Sequence, residues 1–201
     1  MEAIVSGVDF NVNDESTFTK AKINSNGRKQ VGILNGKTMK SLYMSTPLML
    51  TWGVNEYNDE TKLSYDMALQ FPRDEYNNES CVKFLKNMQD FETKIKQAAI
   101  ENSRDWLNKS KLTPDAVDAL WSPMLKYPKD KDTGDPDYSR PPTLKIKLQY
   151  WEGEFKNIEI YNESREPLYP TSDGNDNFKT IKELIVKGSN IATIIQCGGI
   201  W

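Results

Sequence analysis

The run Gly32-Ile33-Leu34-Asn35-Gly36, followed by Lys37 and Thr38, carries the residue types with which P-loop enzymes hold nucleotide phosphates. Glycines let backbone N–H groups approach an anion, and a lysine and a hydroxyl complete the grip. Only three residues separate these glycines, whereas that loop needs four, and "KTMKSLYM" alternates instead of opening a helix. Asn35-Gly36 therefore reads as a two-residue hairpin turn, because both residues tolerate positive φ. The chain contains no histidine, which removes every imidazole general-base mechanism and the commonest transition-metal ligand. Enzyme chemistry could then use only carboxylates, lysines, tyrosines or bound Mg²⁺. A calcium loop counted from Asp130 puts Gly134 where a ligand belongs, Asp135 where glycine belongs and Pro141 where the bidentate Glu belongs. "SDGNDNF" fails in the same way, with Phe178 at the glycine position and Leu184 at the Glu position. Cys81 and Cys197 stand far apart without a CxxC, so they read as buried thiols and no metal site is expected.

The sequence offers more to an anion. From Ser16 to Asn55 there is no Asp or Glu, while Lys20, Lys22, Arg28, Lys29, Lys37 and Lys40 are all present. A solvated strand face would explain these lysines, since lysine also protects sheet edges. The missing carboxylates favour polyanion binding, because a merely soluble surface tends to mix signs. In "TLKIKLQYWEGEF", Leu144, Ile146, Leu148 and Tyr150 alternate with Lys145, Lys147, Gln149 and Trp151. Two lysines and a tryptophan on one outward face are the parts of a single-strand platform, in which ammonium groups meet phosphates and an indole stacks on a base. An ordinary solvated lysine face is the competing explanation. Lys62, Arg73 and the loop residues Lys126, Tyr127, Lys129 and Arg140 could close over a bound strand, and Trp52 could belong to the core or cap the mouth of a barrel.

Positioning these side chains is the task of one domain, residues 1–201, with 37% apolar and 27% charged residues and a net charge of −3. No apolar run has membrane length and "MEAIVSGVDF" is no secretory signal, so an intracellular protein without a membrane span is expected. Residues 1–45 read as a basic meander, its extended segments "FTKAKIN", "RKQVGIL" and "KTMKSLYM" separated by Asn26-Gly27 and Asn35-Gly36. "STPLMLTWGV" and "TKLSYDMALQF" read as strands flanking a polar turn "NEYNDE". Leu48, Leu50 and Trp52 share a face in the first strand, and Leu63, Tyr65, Met67, Leu69 and Phe71 in the second. Residues 76–121 form a helical insertion. Its long amphipathic helix from about Asn78 to Asn108 carries Phe84, Met88, Phe91, Ile95, Ala98 and Trp106 on one stripe, which covers an end or side of the sheet. Thr113-Pro114-Asp115 opens a short helix through Leu120. Residues 122–142, with five prolines, are a long loop. "NIEIYNE" follows as the partner of the lysine strand, "NFKTIKELIVKG" as a short helix and "SNIATIIQCGGIW" as a last apolar strand running into Trp201.

In "GILNGKTMKSLYMSTPLMLTWGVNEY", "LKYP", "PPTLKIKLQYW" and "IIQCGGIW", and in its order of elements from about Ala21 onward, the chain resembles the predicted single-stranded DNA-binding proteins of nucleocytoplasmic large DNA viruses. These are similar in layout to OB-fold phage replication proteins. The resemblance implies a mainly β protein of the α+β class: a five-stranded OB barrel with an N-terminal meander and a long inserted helix. It implies no cofactor and no catalysis, dimerisation, and work at the viral replication site in the host cytoplasm or nucleus. An acidic tail that contacts replication proteins is also implied; none follows Trp201, so a natural chain continuing past it is expected. The resulting expectation is sequence-nonspecific single-stranded DNA binding in viral replication, recombination or repair. Lysines would supply a salt-sensitive part of affinity, and aromatics would recognise unpaired bases.

Two other classes remain at this point. A virion structural or adaptor protein would use the same sheet for protein contacts. A Mg²⁺-dependent nuclease would draw on Asp130, Asp132, Asp135 and Asp137, although metal chemistry needs rigid placement.

Overall fold

The structure is a computed structural model that describes residues 3–24, 26–59, 62–76 and 78–201. Its order begins β1 (Ile4–Ser6), α1 (Val12–Glu15), β2 (Ser16–Phe18), β3 (Lys22–Ile23), β4 (Lys29–Gln30), β5 (Ile33–Asn35), β6 (Tyr43–Ser45), β7 (Met49–Asp59) and β8 (Lys62–Gln70). The helices α2 (Glu79–Glu101), α3 (Ser103–Leu107) and α4 (Pro114–Leu120) follow. Then come β9 (Leu125–Lys126), β10 (Thr143–Leu148), β11 (Tyr150–Trp151), β12 (Glu154–Phe155), β13 (Ile160–Tyr161), β14 (Pro167–Tyr169), α5 (Phe178–Leu184), β15 (Asn190–Ile191) and β16 (Ile194–Gln196). The protein is of mixed α+β class, and its contacts divide it into two compact units. None of the helices among the described residues is long and apolar enough to cross a membrane.

The first unit comprises Met1–Leu48, Asp74–Leu125 and Ala192–Trp201. Its longest element, α2, starts where the Asn78 side chain accepts from Cys81 N at 2.9 Å, satisfying one orphan amide of the first turn. Cys81, Phe84, Met88, Phe91, Ile95, Ala98 and Ala99 form its buried stripe. Glu79–Lys83 and Glu92–Lys96 pair across successive turns on its other faces. Phe91 meets Phe10 edge to face at 5.4 Å. Phe84 lies so close to Gly7 that an added Cβ there would stand 2.7 Å from its ring and 2.5 Å from Ser45 O. The expected helix to Asn108 is interrupted: Asn102, with φ −105° and ψ 21°, ends α2, and α3 starts at Ser103. Its own amide donates to Ala98 O and so does its side chain, which closes the last turn of α2. Trp106 on α3 is nevertheless buried as expected, packed with Val31, Ala98 and Ala99. Thr113 caps α4 through Ala116 N, also as expected.

The amino-terminal meander does not form as three neighbouring strands. Instead β2 pairs with β5 and β3 with β4, while β6 joins β1 and β16 in a separate three-stranded sheet. A turn is present at Asn26-Gly27 but not in two-residue form: Asn24 N donates to Arg28 O, the Asn24 side-chain oxygen accepts from the amides of Asn26 and Arg28, and Gly27 takes the positive φ. Asn35-Gly36 is not a two-residue turn. The buried Asn35 side chain accepts from Lys37 N and Thr38 N, widening the loop to Lys40, and Met39 carries the positive φ of 58°.

The second unit comprises Met49–Arg73 and Lys126–Ile191. At its centre a five-stranded antiparallel sheet, in the order β15-β7-β8-β10-β9, curls into a half-barrel. Tyr65, Met67 and Leu69 of β8 and Leu144 and Leu148 of β10 are buried on its inner face, as their alternation predicts. Tyr65 is the hub of this core, its ring lying 4.8 Å from Tyr150, 4.8 Å from Phe155 and 4.7 Å from Phe178. Helix α5, capped by Asn177, adds Ile181 and Ile185.

Four expectations change here. "NEYNDE" is mostly strand: Asn55 to Asp59 pair with Asp66 to Lys62, because an antiparallel hairpin gains a ladder bond for each residue it extends. Position 60 of that expected turn lies outside the described residues. Leu48, Leu50 and Trp52 are not the core face of β7; Met49 and Thr51 are, and Leu48 and Trp52 are exposed. Pairing sets this parity, with Leu50 opposite Gln70 and Thr51 opposite the buried Leu69, and a bulge between Thr51 and Val54, where Gly53 takes φ 81°, then inverts the alternation so that Val54 also faces inward. "NIEIYNE" does not pair with the lysine strand; β13 pairs with β14, and β8 and β9 occupy the two edges of β10. The last apolar segment is two strands, β15 beside β7 and β16 beside β6, broken at Ala192 and Thr193.

Candidate functional site

The outer face of the half-barrel sheet collects side chains from three strands and one loop of the second unit. Register decides its membership, since directly opposed residues point the same way. Asn55, Asp66 and Lys147 form one such row, Tyr57 and Ser64 another, and Lys145 stands opposite Ala68. Trp52 shares the parity of Leu50, which stands opposite Gln70, so it lies on this face, where its indole N–H donates to Gln70 Oε1 at 3.1 Å. Gln70 is fixed in turn, its amide donating to Phe71 O, Pro141 O and Pro142 O. Trp52 is 45% exposed and Tyr57 48%, so two aromatic surfaces are open to a ligand.

Each of the two rings has an ammonium over it. Lys145 Nζ stands 4.6 Å from the Tyr57 centroid and Lys187 Nζ 5.6 Å from that of Trp52. Lys187 reaches β7 because Thr51 N donates to Ser189 O and Gly188 N to Thr51 O, each at 2.9 Å. Gly53 suits this junction through its φ of 81°, which side chains rarely adopt; a Cβ there would only touch Lys187 N at 3.4 Å. Lys145 also forms an ion pair with Asp66, whose side chain is only 8% exposed and whose other oxygen accepts from Asn55 Nδ2 at 3.3 Å. The hydrogen bond to Asp66 raises the Lys145 pKa above the ordinary lysine value, against the opposing effect of burial. Lys147 is exposed and has no ion pair among the described residues.

The residues singled out from sequence fall in both units. Lys20, Lys22, Arg28, Lys29, Lys37 and Lys40 belong to the first. Lys20, Lys22, Arg28 and Lys40 are exposed, but Lys37 pairs with Glu15 at 3.0 Å and Lys29 donates to Asp105 O. The tertiary structure thus supplies a carboxylate that the stretch itself lacks. Trp52, Lys62, Arg73, Lys126, Tyr127, Lys129, Arg140, Lys145, Lys147 and Trp151 belong to the second. Trp151 is 46% exposed but lies beyond the end of β10, in the short β11–β12 hairpin whose turn residues Glu152 and Gly153 both have positive φ. It is therefore not in line with Lys145 and Lys147 on one ladder.

The proline-rich loop is more ordered than its composition predicts. Lys129 bridges to Pro136, the Tyr127 and Tyr138 rings meet tilted by 58° at 4.7 Å, and Asp137 N donates to Pro128 O. Asp130 accepts from the amides of Asp132 and Thr133, and these bonds hold its carboxyl below the usual range. Among the described residues no three His, Cys, Asp or Glu side chains are grouped to hold a metal ion. Cys81 is buried as expected, whereas Cys197 is only partly buried; desolvation nevertheless pushes its thiol up to about 12.

Sequence reasoning missed Tyr57, Lys187 and Asp66. Tyr57 was hidden by the polar residues around it, which read as a turn, although alternation continues through Asn55, Tyr57 and Asp59. Lys187 carried no signal, because only the junction of β15 with β7 brings it near Trp52. Compared with protein-family models, with curated proteins and with solved structures, the chain shows no match.

Proposed function

We propose that the chain binds single-stranded DNA without sequence preference, in the replication, recombination or repair of a large DNA virus, and that its half-barrel is of the OB type. The observation that carries this reading is the pairing of open rings with cations on one sheet face: Trp52 with Lys187 and Tyr57 with Lys145. At Trp52 a flat ring beside the Lys187 ammonium suits a nucleotide, whose base can stack while its phosphate meets the charge; Tyr57 offers a second ring, and such stacking is tolerant of sequence. Lys147 and Lys62 extend the positive charge along the same face, and the exposed Lys20, Lys22, Arg28 and Lys40 add sequence-independent attraction. The net charge of −3 does not oppose this, because the local field of a face governs encounter.

Titration with dT oligonucleotides at two salt concentrations tests the proposal through tryptophan emission, with duplex DNA and RNA as comparators. Quenching by dT that weakens with salt supports it. No binding at low salt overturns it.

A protein-contact surface is the second reading, favoured by the Asp66 carboxylate, which neutralises a lysine in the middle of the face. Self-association without affinity for nucleic acid would identify that role.

A further inference from the structure

Resting on the strand-binding reading, we infer that Asp66 restrains the affinity of the outer face by withholding Lys145 from phosphate. The carboxylate lies on β8 between β7 and β10, with one oxygen on Lys145 Nζ and the other on Asn55 Nδ2. With 8% of its side chain exposed, Asp66 has little water to replace a lost partner. Moving Lys145 to a phosphate would leave a buried carboxylate uncompensated, which is strongly unfavourable. Lys145, 39% exposed, therefore remains over the Tyr57 ring as part of a pair with no net charge. Lys147, which register places directly opposite Asp66, is left as the ammonium free to meet a phosphate at that level of the sheet.

The consequence is a weaker and less salt-sensitive grip than the lysine count of the face implies. Each phosphate neutralised on a single strand adds about 0.7 to the slope of log affinity against log salt. Removing the charge of Asp66 while keeping its shape frees Lys145 without burying a charge, because the ammonium already borders solvent.

The test compares wild type, D66N and D66N/K145Q for dT oligonucleotide binding across a salt series. D66N is expected to bind more tightly at low salt, with a slope steeper by about 0.7, so that a fourfold rise in salt costs it about 2.6-fold more affinity than wild type. Adding K145Q is expected to remove that gain, which assigns it to Lys145. A D66N slope and affinity equal to wild type would overturn the role of Asp66 while leaving strand binding intact. Absence of binding by all three proteins would overturn strand binding itself, and the inference with it. Binding by D66N alone would overturn strand binding by the natural protein and support the restraint. Should D66N fail to fold, D66N/K145Q decides alone: a slope shallower than wild type by about 0.7 means that Lys145 already meets a phosphate, and sinks the inference.

Discussion

Lys187 places its ammonium 5.6 Å from the centre of the Trp52 ring, joining the loop after α5 to the bulge of β7. Neither residue owes this position to its own segment. Pairing of Leu50 with Gln70 and of Thr51 with Leu69 turns the indole outward, and the bonds of Thr51 to Gly188 and Ser189 bring the lysine to it.

Trp52→Ala should therefore weaken dT binding by about 1–3 kcal/mol, the usual worth of one stacked base. Because the indole is 45% exposed and makes one side-chain hydrogen bond, its loss should cost folding no more than about 1.5 kcal/mol. Oligonucleotide titration and urea unfolding of the same preparation separate the two effects. Unchanged affinity would remove Trp52 from the interface.

Gly53→Ala tests the bulge. At φ 81° a side chain is strained by roughly 1–2 kcal/mol, while the added methyl would lie in ordinary contact with the backbone of Lys187 at 3.4 Å. The expected result is a lower unfolding midpoint together with changed Trp52 emission, read by denaturant titration followed by fluorescence.

Phe84→Ala tests the first unit. Its ring is fully buried on α2 against Gly7. Truncation should cost about 3–5 kcal/mol, as for other core phenylalanines. Equilibrium unfolding monitored by circular dichroism would show the loss.

Tyr65 gives the second unit a pH limit. Burial first, and then the neighbouring Glu56 carboxylate, push its pKa from 10.0 to about 12. The unfolded chain then releases this proton before the folded one does, so stability from the neutral phenol is complete below pH 10 and declines up to about pH 12. The loss should be on the order of 2 kcal/mol. Tyr65→Phe should remove that part of the pH dependence while costing the hydrogen bond to Glu56. Parallel unfolding curves of the two proteins through this range would contradict the assignment.

Much of the architecture was legible wherever alternation or helical spacing met a buried surface. The inner faces of β8 and β10, the stripe of α2 and the Thr113 cap of α4 all follow from local spacing, since each places apolar groups or a capping oxygen at a fixed geometric interval. The basic amino-terminal stretch and Lys145 and Lys147 were visible as charges. What those charges face was not: Glu15 takes Lys37, and Asp66 takes Lys145, through contacts between segments distant in the chain.

The amino-acid order alone determined the α+β class, the core faces of the regular strands and the residue types available for binding. Only the tertiary structure decided that Trp52 points outward, that Tyr57 lies in a strand, that Lys187 covers Trp52 and that one central lysine is already neutralised. The physical reason is that periodicity is a local property, fixed by the geometry of consecutive residues. A single bulge resets it, and pairing between remote strands chooses which charges become neighbours.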